Sequence, residues 1–240
     1  MVLLVAQNLV VIHLLTHAIY FRPHRTTLLF LAFTIPPAAV YDPSVYVFNR
    51  AAEADLLDVW HGGNVPLFSL FGFFFTFYLA LTIGLSLVRR PGESDVSFGR
   101  LLAACVVVFV AFGVCLETLN SSLKWWTLQY RGNVLGYLGM WYWRPALAFP
   151  LLFSRLLPVP VLRRRAFRAS LMWCWILIWD SLLLGPLAGP IWHVFMIAMT
   201  FAALAYVAHK FGDHPDLRIP LDALVFDQPQ WIFGRASTVN

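Results

Sequence analysis

Seven apolar stretches recur along the chain, at 1–20, 26–47, 64–88, 100–119, 145–162, 169–188 and 190–209. At about 1.5 Å of rise per residue, a helix of roughly 20 residues crosses the hydrocarbon of a bilayer. Lipid offers no hydrogen bonds, so a spanning segment must satisfy its own backbone, which selects helices. The expected fold is therefore all-α: a polytopic membrane helix bundle of seven transmembrane helices. Composition agrees, with 60% hydrophobic, 16% aromatic and only 12% charged residues against roughly a quarter charged in soluble proteins.

Orientation follows from the basic residues. The net charge of +5 does not point to nucleic acid, because only Lys124 and Lys210 are lysines and the arginines sit in short clusters between apolar runs. Pro145, Pro150, Pro158, Pro160 and Arg155 interrupt the fifth run, which makes it the weakest crossing and leaves a kinked or re-entrant segment open beside a full span. If it crosses, Arg22 and Arg25, then Arg89, Arg90 and Arg100, then Arg163, Arg164, Arg165 and Arg168 share one side with the C-terminal tail. The positive-inside rule makes that side cytoplasmic and the N-terminus lumenal or outside. The first run lacks a basic leader and a small-residue cleavage site, so it is expected to be retained. Residues 1–210 are expected to form one transmembrane domain and 211–240 a polar cytoplasmic tail. The expected location is a membrane, multi-pass, the endoplasmic reticulum if the cell is eukaryotic. Cys105, Cys115 and Cys174 fall inside apolar runs without ligand spacing and read as small core residues.

Two carboxylates stand out in this setting. Glu117 lies in the fourth run and Asp180 in the sixth, although an acid at bilayer depth costs roughly 2.5–3.5 kcal/mol on insertion scales. Glu117, Asn120, Ser121 and Lys124 follow i, i+3, i+4, i+7 spacing, which places a carboxyl, an amide, a hydroxyl and an amine on one helix face. A stripe that hydrogen-bonds neighbouring helices uses the same pattern. Asp180 follows Trp173-Cys-Trp-Ile-Leu-Ile-Trp179, an apolar setting that favours the neutral, proton-donating form. His193 follows the Gly185-Pro-Leu-Ala-Gly-Pro190 turn at the expected lumenal mouth, and the acidic second loop offers Glu53 and Asp55 to the same region. Asp180 and Glu117 are the candidate catalytic residues; Asn120, Lys124, His193, Glu53 and Asp55 are candidate supporting residues. His13 and His17 stand at i, i+4 without a third ligand. With no nucleotide loop, haem motif or metal cluster in the sequence, neither cofactor nor metal is expected.

Between the fourth and fifth runs, Trp125, Trp126, Tyr130, Tyr137, Trp141, Tyr142 and Trp143 are interleaved with glycines. Such rings anchor helices at the headgroup level, and they also suit a wall around a cationic intermediate. Buried acids beside aromatic walls fit proton chemistry on a lipophilic molecule. In length, seven-run layout and acids within apolar helices, residues 1–210 resemble the small integral-membrane terpene cyclases of secondary-metabolite pathways. That resemblance implies acid-initiated cyclisation of a prenylated or epoxidised substrate. The Trp-Glu pair associated with the second helix of the fungal enzymes is replaced here by Pro36-Pro37 and Asp42. The stretch Glu117-Thr-Leu-Asn120…Trp126…Tyr130…Gly136…Pro145 is also loosely similar to membrane carotenoid hydratases, without their glycine-rich motif.

The leading expectation is a membrane enzyme performing terpene (meroterpenoid) cyclisation in secondary metabolism. An epoxide hydrolase acting on a polyketide, a proton-coupled transporter, and a receptor or assembly protein whose acids only staple helices stay open. The expected partners are a lipophilic small-molecule substrate and the lipid bilayer, with no nucleic acid.

Overall fold

The computed structural model describes residues 2–34, 61–62, 65–123, 145–146, 148–179 and 190–225. These residues are mostly helical, in seven helices. In chain order they are α1 (Val2–Phe21), α2 (24–34), α3 (Leu67–Val88), α4 (Phe98–Leu123), α5 (145–156), α6 (Pro160–Trp179) and α7 (Pro190–Phe211). Two short antiparallel strand pairs accompany them: β1 (His61–Gly62) with β2 (Val65–Pro66), and β3 (Asp95–Ser97) with β4 (Arg218–Pro220).

Prolines set several boundaries. Pro23 separates α1 from α2, and α6 and α7 each begin on a proline, where the missing N–H is free of cost. The run at 145–162, where prolines left a kinked or re-entrant segment open, breaks at Leu157–Val159, and α6 starts nine residues before the expected 169. Pro158 and Pro160 account for the break, since a proline cannot continue the helix before it. The arginine cluster at 163–168 consequently lies on the first turns of α6 rather than in a loop. Arg163 donates from Nε to the carbonyl of Leu157 at 2.9 Å, closing over the end of α5.

α3 and α4 form an antiparallel hairpin and the most extensive helix pair; α7 packs on α4, and α1 packs on α3. The α3–α4 connection turns at Gly92, whose φ of +82° is open to glycine at little cost. Small residues let helices approach closely. A Cβ at Gly84 would stand 2.8 Å from Cys105 Sγ across the α3–α4 crossing, and one at Gly99 would stand 2.8 Å from the Val207 carbonyl across the α4–α7 crossing. The core between them is rich in phenylalanine. Phe77 meets Phe109 at 4.5 Å and Phe149 at 5.3 Å between ring centroids, and Phe149 stacks on Phe153.

The outward faces are equally apolar: Leu28, Leu87 and Met172 each keep about two thirds of their surface exposed. By length and composition, two helical stretches among the described residues, Phe98–Leu116 and Val194–Phe211, are able to cross a membrane.

One end of the bundle is closed by residues 213–225, within the segment expected as a polar tail. Val96 pairs with Ile219 between β3 and β4, and the Leu221 amide donates to the Ser94 carbonyl at 2.9 Å. Ile219, Leu221 and Leu224 are buried in the main core. Arg218 hydrogen-bonds Asp95 and lies 3.6 Å from Glu93, while Arg100 reaches Asp213 at 2.5 Å. The hydrogen bond to Asp95, reinforced by the charges of Asp95, Glu93 and Asp213, holds the Arg218 guanidinium above its ordinary pKa. These contacts strap the chain across the helix ends that carry the basic residues.

Candidate functional site

The expected site residues divide by where they fall. Asp180, Lys124, Glu53 and Asp55 lie outside the described residues. Glu117 and Asn120 lie on α4 and His193 on α7, with backbone but not side-chain positions described. Helix register is therefore the available geometry.

α4 continues unbroken to Leu123, so the i, i+3, i+4 spacing of positions 117, 120 and 121 holds. Its buried stripe contains Leu102, Cys105, Val106, Phe109 and Gly113, whereas Val107, Ala111, Val114 and Thr118 are exposed. Positions 117 and 120 stand four and seven residues beyond Gly113 in the same helical register. The phase relative to α7 is fixed by Gly99, which abuts Val207 and Ala208. Position 117 is 18 residues beyond Gly99, about five whole turns, so it falls on the same face of α4 that meets α7.

α7 runs the opposite way. Its inward positions include Met196, Thr200 and Leu204, and position 193 precedes Thr200 by seven residues on the same side. Counting back along α7 from the Gly99 contact brings position 193 level with about residue 113 of α4, roughly one turn from position 117. The fold thus brings positions 117 and 193 to facing stripes of adjacent helices at similar depth. A carboxylate and an imidazole at such positions have the chemistry for proton donation and removal.

A second polar cluster, outside the expected site residues, centres on Arg22. Arg22, only 3% exposed, donates from Nη1 to the Leu224 carbonyl at 2.9 Å, from Nη2 to Thr82 Oγ1 at 3.1 Å and from Nε to Tyr78 Oη at 3.3 Å. Tyr78 Oη also meets His17 Nδ1 at 2.7 Å. Thr82 in turn donates to the Tyr78 carbonyl at 3.0 Å, which leaves its oxygen for the guanidinium. Thr26 hydrogen-bonds the Ala223 carbonyl beside it. Phe30 and Phe74 pack against the Tyr78 ring.

A guanidinium removed from water needs such acceptors, because an unsatisfied buried polar group costs several kcal/mol at the order of magnitude. Among the described residues its partners are neutral, and the cluster fastens α1 and α3 to the C-terminal strap. His17 is therefore engaged with Tyr78 while His13 is exposed, so their i, i+4 spacing does not form a paired site. Among the described residues no group of three or more His, Cys, Asp or Glu could hold a metal. The available signal was Tyr78 and Thr82 at i, i+4 in an otherwise apolar helix, with Arg22 directly before Pro23.

Comparison with known proteins adds no relative: no family model, curated protein or solved structure matches the chain. Among the described residues, fold and site define a mostly helical protein with two helices long and apolar enough to cross a membrane, an interior rich in aromatic rings, and a buried arginine hub at its basic end.

Proposed function

We propose that this protein is a multi-pass membrane enzyme that performs acid–base chemistry on a lipophilic small molecule, with terpene cyclisation as its form. In this reading seven helices cross the bilayer, the strap and the basic helix ends face the cytoplasm, and the N-terminus lies outside or in the lumen. Glu117 and Asp180 are its carboxylates and His193 its assisting base. Asn120 on α4 and Lys124, Glu53 and Asp55, which lie outside the described residues, are its supporting residues in this reading.

One observation carries the proposal: positions 117 and 193 lie on facing stripes of α4 and α7, about one turn apart in depth. Intramembrane ionisable groups that face the interior of a bundle mark reaction or transport paths. Cyclisation needs an acid to open an epoxide or protonate an alkene, and a base to take the final proton in a site from which water is excluded. Hydrolysis of an epoxide would use the same groups with water as the captor.

The test is turnover of prenylated and epoxidised lipophiles by membranes containing wild type, Glu117→Gln, Asp180→Asn or His193→Gln. The proposal expects normal folded yield and a loss of about 10²-fold or more for each carboxylate variant, the range of a positioned general acid. Unchanged turnover in both carboxylate variants contradicts it. Poor folding with no turnover in the wild type supports acids that staple helices, and proton-dependent uptake into liposomes without product supports a transporter.

A further inference from the structure

α6 presents two different faces. Ser170 and Cys174 are buried, and Arg163 turns inward to the Leu157 carbonyl. The opposite face begins with Arg164, Arg165 and Arg168 and continues with Leu171, Met172 and Trp175, all exposed. Positions 164, 168, 171, 172 and 175 follow helical spacing, so the stripe is continuous. It runs from basic to apolar over 11 residues, about 16 Å.

Among the described residues no carboxylate pairs with the charges on this stripe. No Asp or Glu occurs between residues 157 and 179. Elsewhere on the strapped end, Asp95 and Glu93 engage Arg218 and Asp213 engages Arg100. Among the described residues Arg164, Arg165 and Arg168 have no carboxylate partner. Three exposed guanidiniums directly above exposed Leu171 and Met172 match an amphiphile whose head is anionic and whose chains are hydrocarbon. Guanidinium is suited to phosphate because its planar donors bind two oxygens at once.

We propose that the outer face of α6 is a binding site for an anionic phospholipid, its phosphate held by Arg164, Arg165 and Arg168 and its chains lying along Leu171, Met172 and Trp175. The site rests on the reading of the chain as a membrane protein but is independent of any catalytic role. Juxtamembrane arginines attract anionic lipid by an amount that corresponds to about fivefold in affinity per side chain.

The experiment reconstitutes the full chain in nanodiscs of phosphatidylcholine with increasing phosphatidylglycerol and follows the unfolding temperature. The wild type should show a saturable rise with phosphatidylglycerol. In Arg164→Gln/Arg165→Gln/Arg168→Gln the midpoint should move to much higher lipid fraction, and the matching triple lysine variant should recover most of it. Arg89→Gln/Arg90→Gln, which removes two exposed arginines from the α3–α4 turn, should respond like the wild type.

Inorganic phosphate alone should give no rise, since it leaves the apolar part of the stripe unused. A second readout is quenching of Trp175 by phosphatidylglycerol with brominated chains, identified as the component lost in Trp175→Phe and stronger than with brominated phosphatidylcholine. It keeps the test decisive if the glutamine variant does not fold. Indifference of the wild type to phosphatidylglycerol, an equal response of the glutamine variant, equal weakening by the α3–α4 turn variant, or a full effect of free phosphate would each overturn the site. Failure of the wild type to enter nanodiscs would overturn the membrane reading itself.

Discussion

α4 and α7 are both able to cross a bilayer by length and composition, yet 39% of the apolar window of α4 is buried against 12% for α7. α4 is central, held between α3 and α7, while α7 touches the bundle along one stripe. The contrast teaches that apolarity alone does not locate a helix in a membrane protein. Lipid and protein interior select nearly the same residues, so position is decided by close packing at small residues and by the few polar groups that must turn inward. Gly84 and Gly99 mark the contacts of α4 with α3 and with α7.

That contrast can be broken by mutation. The largest effect is expected from Phe109→Ala in α4, which empties space beside Phe77 in the main core; the cost should be about 3 kcal/mol by cavity formation, read as a lowered unfolding temperature in detergent. Gly99→Val should come next, at about 1–3 kcal/mol, because the added carbon meets the Val207 carbonyl and nothing flexible can yield. If positions 117 and 193 depend on that crossing, turnover should fall in Gly99→Val by more than the lost stability explains.

Arg22→Ala should cost about 2 kcal/mol, having removed three hydrogen bonds and left the Leu224 carbonyl unpaired. Its distinguishing readout is proteolysis within residues 213–225, which should accelerate while cleavage elsewhere does not. Asp95→Asn should cost no more than about 1 kcal/mol, since its pair with Arg218 is partly exposed, and the effect should shrink in high salt. On the outer face of α7, Met199→Ala should change stability by less than about 0.5 kcal/mol. A large loss there would mean that this face is covered by protein rather than lipid.

Much of the helix pattern was legible because its cause is local. The runs that become α1, α3, α4 and α7 are long, apolar and poor in charge, and their expected ends lie within a few residues of those observed. The start of α6 was not legible, because four arginines in six positions read as an interfacial loop. In the structure Arg163 reaches back to Leu157 while its neighbours face outward, an arrangement a helix tolerates easily. The strap was missed for a related reason. Asp213, Asp216, Arg218 and Asp222 give 213–225 a polar appearance, and only tertiary contact reveals that Ile219, Leu221 and Leu224 fill the core.

The candidate site was legible in part. Acids within long apolar runs stand out in a sequence by their cost in an apolar setting, and helical spacing gave the face shared by positions 117, 120 and 121. Their relation to position 193 depends on how α4 crosses α7, which no local pattern encodes. Arg22 was read as a mark of orientation, and its three acceptors come from α3 and from a residue 202 positions away.

The central claim, a seven-crossing protein with its basic end in the cytoplasm, is tested most directly by cysteine accessibility. With the native cysteines replaced, single variants Pro91→Cys, Arg165→Cys, Gly63→Cys and Gly136→Cys are exposed to a membrane-impermeant maleimide in intact cells and after permeabilisation. The account predicts that Gly63→Cys and Gly136→Cys react in sealed membranes from the outer or lumenal face, and that Pro91→Cys and Arg165→Cys react only from the cytoplasmic face. Labelling of Pro91→Cys and Arg165→Cys from opposite faces would contradict it.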